Sequence, residues 1–175
     1  MKYAIAPNGI FWSIQGEAHL RGFQMMFVRL AGCSVGCPMC DTDYSVHRRM
    51  TTVEIVAEVR EKMPTNRDGW IWVTGGEPAD RALLSALKAE GWSTAVATSG
   101  KHRVVPPVDW LSVSYHGGYP LAQKYGNEIK LVDGLNGLDF DDFLVRYPDD
   151  QTDFLYRYVQ PLWKDGGEGP KSLRR

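Results

Sequence analysis

The chain has 175 residues, a formal net charge of −1 and 43% hydrophobic residues. That length predicts one domain with ample material for a core, and the near-neutral balance offers no field to draw in nucleic acid or an anionic membrane surface. No apolar run approaches the roughly 20 residues needed to span a bilayer. The N-terminal MKYAIAPNGIFWS lacks the apolar stretch of a signal peptide, so none is expected.

In chain order, residues 2–6 (KYAIA) read as a short strand, and Ile10 to Glu17 mixes apolar and polar residues with no clear period. Gln24 to Leu30 (QMMFVRL) reads as a strand leading into a cysteine-bearing loop, with Arg29 near its end. Arg48-Arg49 reads as a solvated loop. Thr51-Thr52-Val53-Glu54 has the form of a capping box. Ile55, Val56, Val59 and Met63 then recur at helical spacing until Pro64 stops the helix. Trp70 to Thr74 is a short, mostly apolar strand of the kind buried in a parallel sheet, and Gly75-Gly76-Glu77-Pro78 follows it.

Asp80 is the expected cap of a second helix carrying Leu83, Leu84 and Leu87, with Gly91 at its end. Further strands are expected at Ser93 to Ala97, Asp109 to Ser114, Glu128 to Val132 and Phe154 to Val159, and a third helix from Asp139 to Tyr147. About six strands and three helices, alternating early, predict an α/β fold with a parallel sheet. The chain is too short for a closed eight-fold barrel of roughly 250 residues, so a partial, open barrel is expected. One domain over residues 1–163 is followed by a polar, glycine-rich tail, 164–175, expected to be mobile unless substrate or a partner orders it.

Ligands of such sheets bind at the carboxyl ends of the strands. The cysteine loop, Gly75 to Pro78, Thr98-Ser99-Gly100, Ser114-Tyr115-His116 and Gln160-Pro161 all fall there.

All the cysteines lie in one loop, Cys33-x3-Cys37-x2-Cys40. An odd number on one short segment is no disulfide framework, and it fits a reducing, cytoplasmic setting. Three thiolates on a tight loop can converge on one soft metal centre. A structural zinc site would need a fourth ligand such as His47. A [4Fe–4S] cluster with three cysteines would leave one iron open to an outside ligand. Thr42, after Asp41, offers a hard oxygen suited to Mg²⁺, and Arg29 a fork for a substrate carboxylate. Gln15, Gly16 and Glu17 are either a surface turn or a reader of a purine-like edge. His19, His47, His102 and His116 stand alone without metal-ligand spacing and read as solvated or structural.

The cysteine loop and Gly75-Gly76-Glu77-Pro78 together resemble the radical S-adenosylmethionine (SAM) enzymes. More narrowly, Phe11 to Glu17, Phe27 to Cys33, Cys40-Asp41-Thr42 and Thr74 to Pro78 resemble the 7-carboxy-7-deazaguanine synthase family, as do Asn127 to Val132 and Tyr158 to Leu162. The resemblance implies a truncated radical SAM barrel, a homodimer, and an external electron donor such as a flavodoxin. It implies conversion of 6-carboxy-5,6,7,8-tetrahydropterin to 7-carboxy-7-deazaguanine with loss of ammonia, a step toward queuosine and other 7-deazapurines.

Carried over by position, Cys33, Cys37 and Cys40 would hold the [4Fe–4S] cluster. Met39, Cys40, Asp41, Gly76, Glu77, Ser114, Tyr115, His116 and Gln160 would line SAM. Thr42 would bind Mg²⁺, and Ile14, Gln15, Gly16, Arg29 and Thr74 would hold the pterin. This chain has Ser114-Tyr115-His116 where the family usually has Ser-Pro-Lys, and it ends in Arg174-Arg175 rather than near a proline. A glycyl-radical activase has the same cysteine spacing, and a non-catalytic zinc module is the reading from another class.

Overall fold

The computed structural model describes residues 1–36, 43, 45–64, 69–77, 81–104 and 107–161. Its strands are β1 (Lys2–Ile14), β2 (Gln24–Leu30), β3 (Arg48–Thr51), β4 (Trp70–Gly75), β5 (Ser93–Thr98), β6 (Trp110–Tyr115), β7 (Tyr125–Asp133) and β8 (Asp153–Pro161). The helices α1 (Thr52–Lys62), α2 (Arg81–Ala89) and α3 (Phe140–Arg146) lie between them.

One eight-stranded sheet runs β3-β1-β2-β4-β5-β6-β7-β8. Every pairing from β2 to β8 is parallel, so the six expected parallel strands are present. β1 and β3 add an antiparallel edge. The result is an α/β fold with an open sheet, a partial barrel. No helix among the described residues is long and apolar enough to cross a membrane.

Two local expectations are corrected. The short strand at 2–6 and the patternless stretch after it are one strand, β1. Its alternation is broken by a register shift between Ile5 and Ile10, where Asn8 takes φ 49°. A Cβ on Gly9 would stand 2.7 Å from the Arg29 carbonyl oxygen, so the chain passes too close there for a side chain. A bulge of this kind erases the period-two signal. The second correction concerns Arg48-Arg49. These residues form the edge strand β3, and Arg48 pairs with Glu58 at 2.6 Å. A four-residue basic strand is too short to show a pattern, and it suits an edge that must stay unpaired.

The helix signals hold. Thr51 caps α1 in a reciprocal box with Glu54. The Asp139 carboxylate caps α3 by accepting the Asp141 and Asp142 N–H groups. Asp80 lies outside the described residues. Ile55, Val56 and Val59 of α1, Leu83, Leu84 and Leu87 of α2, and Phe143 of α3 share one apolar cluster with Val28, Val73, Val96, Val113 and Ile129 of the strands. Each fully buried leucine or valine contributes roughly 1.5–3 kcal/mol. The helices therefore cover one face of the sheet.

The other, concave face carries a smaller cluster in which Leu20, from the β1–β2 connection, meets Met25, Phe27, Trp72 and Ala95. Strand alternation also turns Arg29, Thr74, Ser112, Ser114, Glu128 and Lys130 toward this face.

Candidate active site

The described residues of the five rim segments expected from the sequence sit at the carboxyl ends of β2, β4, β5, β6 and β8. These strands are parallel, so the segments share one rim. Two of them are pressed together. Gly76 N–H donates to the Leu30 carbonyl at 2.8 Å, and a Cβ on Gly76 would stand 1.7 Å from the Gly32 carbonyl oxygen. Cys33 follows directly, a half-buried free thiol whose Sγ accepts the Val35 N–H at 3.5 Å. The cysteine loop and the diglycine turn thus form one surface, and only glycine fits where they meet. Cys37, Met39, Cys40, Asp41 and Thr42 lie outside the described residues.

The Glu77 carboxylate accepts from Thr98 Oγ1 and, at 2.7 Å, from the Ser99 N–H. It braces the β4 end against the β5 end, so both its oxygens already have protein partners. The β5 end in turn touches the cysteine loop: Lys101 Nζ donates to the Ser34 carbonyl at 3.1 Å, and Ser34 Oγ lies 3.2 Å from His102 Nε2. The sequence marks His102 only as a solvated or structural histidine and does not single out Lys101, because nothing in their local pattern points to the cysteine loop.

Ser114 stands in register with Lys130, and Lys130 with Tyr158; Gln160 stands opposite Val132. Ser114, His116 and Gln160 therefore fall on the concave face. Burial, with the Lys130 charge beside it, holds the His116 imidazole below its ordinary pKa, while Glu17 opposes the effect. Tyr115 points the other way. Its ring is buried against Tyr119, Phe143 and Tyr147, its hydroxyl donates to the Tyr119 carbonyl at 2.6 Å, and burial pushes its pKa up to about 12. Only its main chain reaches the rim. A 180 Å³ cavity on this helix side, lined by Asn136, Asp142 and Arg146, shares only Tyr115 with the candidate residues.

Arg29 and Thr74 are register partners on adjacent strands. The Arg29 guanidinium lies 5.4 Å from the centroid of the Phe11 ring, itself stacked on Phe27. No carboxylate pairs with Arg29 among the described residues. Gly75, at φ 90°, leaves room for the arginine stem, since a Cβ there would come within 2.8 Å of Arg29 Cγ. Ser112 Oγ and Trp110 Nε1 are buried on this face without a hydrogen-bond partner among the described residues. An orphan of this kind costs about 1–3 kcal/mol, so the interior suits a polar ligand or ordered water.

Ile14 pairs with Gln24 at the amino end of β2, opposite the cysteine rim. From there the connection crosses the concave face. Glu17 pairs with Lys130 at 2.5 Å, and the His19 N–H donates to buried Glu128 at 3.1 Å. The His19 ring stacks on Tyr156 at 3.9 Å and on Trp110 at 5.1 Å. Gln15 is buried and Gly16 exposed at the start of this strap.

Comparison with known proteins decides between the open readings. A 7-carboxy-7-deazaguanine synthase from Bradyrhizobium diazoefficiens is 31% identical over 211 aligned positions, covering 99% of both chains. The chain belongs to the 7-carboxy-7-deazaguanine synthase family. It is therefore an enzyme. A Neisseria meningitidis member is 36% identical over 168 residues, covering 90% of this chain and 74% of that one. The crystal structure of QueE from Escherichia coli superimposes with a TM-score of 0.72 at 28% identity, covering 91% of this chain and 85% of that one. It shares the partial-barrel fold of this synthase-family member. No protein-family model matches the chain.

Proposed function

We propose that the chain converts 6-carboxy-5,6,7,8-tetrahydropterin to 7-carboxy-7-deazaguanine with loss of ammonia. The observation that carries this reading is the close meeting of the Cys33 loop with Gly76, above a concave face that presents Arg29 and Thr74 side by side. Family membership supports it and favours neither the activase nor the zinc module.

The residues present fit the groups this reading needs. Soft thiols suit a cluster, and the absence of a side chain at Gly76 lets the turn after β4 press against the start of the cysteine loop. Cys33, with Cys37 and Cys40, would hold a [4Fe–4S] cluster. Gly76, Ser114, His116 and Gln160, with Met39 and Asp41, would line SAM; Glu77 would act by bracing the turn, and Tyr115 through its main chain. Thr42 would bind Mg²⁺. When bound, cluster and SAM supply the one-electron step that removes and returns a substrate hydrogen.

The protein's own part is binding and orientation. The Arg29 guanidinium offers parallel N–H donors to the pterin carboxylate, and the Phe11 ring holds it flat. Thr74 stands beside it as a hydroxyl partner. Ile14, Gln15 and Gly16 meet the heterocycle from the strap side. Residues 1–163 act as one catalytic domain, residues 164–175 as a tail. The enzyme works as a homodimer fed by an external electron donor such as a flavodoxin.

The test is anaerobic. The cluster is reconstituted and reduced, SAM and 6-carboxytetrahydropterin are added, and 7-carboxy-7-deazaguanine is sought by mass. Product is the expected result. A brown protein that cleaves SAM but leaves the pterin unchanged would overturn the substrate, and a colourless protein carrying zinc would overturn the cofactor.

A further inference from the structure

The β1–β2 connection joins neighbouring strands of a hairpin, yet it does not stay with them. It crosses the open barrel to β6, β7 and β8 and is held there at three points. Glu17 pairs with Lys130 at 2.5 Å. The His19 N–H donates to a Glu128 oxygen at 3.1 Å, and His19 Nδ1 lies 3.2 Å from the Tyr158 hydroxyl. Glu128 and Lys130 are only 1% and 6% exposed. Two charges buried two residues apart on a central strand need a reason to be there, because an apolar pair would cost far less to bury.

The strap itself is under tension. Ala18 takes φ 52°, an uncommon conformation for a residue with a side chain. Such a residue persists only where its surroundings over-determine it. At its start, Gln15 is fixed by N–H donation to the Phe23 carbonyl at 2.8 Å and by the Gly22 N–H donating to its own carbonyl at 2.8 Å. Its side-chain oxygen accepts the Glu17 N–H at 3.1 Å. The chain from Gln15 through Glu17 to His19 is therefore one braced unit, and its far anchors are Lys130 and Glu128.

We propose that Lys130 and Glu128 are positioning residues for substrate: by anchoring Glu17 and His19 they fix the Gln15-Gly16 edge against the pterin. The proposal rests on the functional reading above, in which that edge meets the substrate. Removing an anchor loosens the edge and weakens substrate binding while leaving the rim chemistry in place.

The test uses the full chain with Lys130→Met, Glu17→Gln and the double variant. Each single change is expected to raise the KM for 6-carboxytetrahydropterin about tenfold with kcat within about twofold. The double variant should be no worse than the poorer single one, because both break the same contact. Amide hydrogen exchange over residues 15–23 is measured in parallel on protein without cluster, and should quicken in each variant. Should Lys130→Met fail to fold, Tyr158→Phe removes only the hydroxyl at His19 and is read in the same way. Unchanged exchange over 15–23 overturns the anchoring. Faster exchange with an unchanged KM overturns its role in binding. If the wild-type protein makes no product, the functional reading fails on its own, and the exchange measurement still decides the anchoring.

Discussion

Gly76 and Gly32 meet so closely that no side chain fits between them: a Cβ on Gly76 would lie 1.7 Å from the Gly32 carbonyl oxygen. The obstruction is backbone, which cannot swing aside as a side chain can. Gly76→Ala should therefore separate the diglycine turn from the cysteine loop, cost about 3 kcal/mol or more, and lower iron uptake on reconstitution. Gly32→Ala is the control. Its φ of 76° is unfavourable for alanine, but a Cβ there meets nothing within 4 Å, so the cost should be only about 1 kcal/mol. Denaturation midpoints and iron content of the two variants give the comparison, and equal losses would count against the close contact.

Arg29→Ala removes the guanidinium that stands beside Thr74 on the concave face. A charge-assisted pair with a carboxylate is worth about 2 kcal/mol, so the substrate KM should rise roughly thirtyfold. Arg29→Lys should recover only part of this, because an ammonium cannot make the paired contact. A near-normal KM for the alanine variant would remove Arg29 from the substrate site.

Thr42→Ala should weaken the dependence of turnover on Mg²⁺ while the cluster absorbance is kept. Titrating Mg²⁺ into wild type and variant is the measurement. The same half-saturating concentration in both would remove the assignment.

His116 gives the protein a sensitivity to mild acid. Burial first, and then the Lys130 charge, depress its pKa below the ordinary value of about 6.5. As pH falls through that value the unfolded chain takes up a proton and the folded chain does not, so stability drops below about pH 6.5. Urea denaturation at several pH values between 7.5 and 5 should show this loss in the wild type and a shallower slope in His116→Gln. Parallel slopes would mean that the imidazole titrates freely.

Much of this was legible in the sequence because the signals were local. The Thr51–Glu54 box, the Asp139 cap and the apolar runs at Trp70 and Ser93 each carry their structure in a few residues. Arg29 and Thr74 come out as neighbours because each sits near the end of a parallel strand. What escaped was long-range or irregular. The bulge at Asn8-Gly9 hid half of β1. Tyr115 could be placed near the rim, but not its ring on the helix face. Glu128 and Lys130 did leave a trace, since two charges at alternate positions in an otherwise apolar strand must share a face. Their partners Glu17 and His19 lie 113 and 109 residues away and could not be read from the chain.

Those separations bear on the order in which the molecule can be completed. The strap is synthesised before the strands that anchor it, and its contact with Tyr158 spans 139 residues. Chains emerge at about 5–20 residues per second, so the strap waits several seconds or more for its partners on β7 and β8. A chain stopped before β7 would lack Glu128, Lys130 and Tyr158, yet could still bring the β2 end against the diglycine turn. It would have a rim with nothing laid across the barrel beneath it.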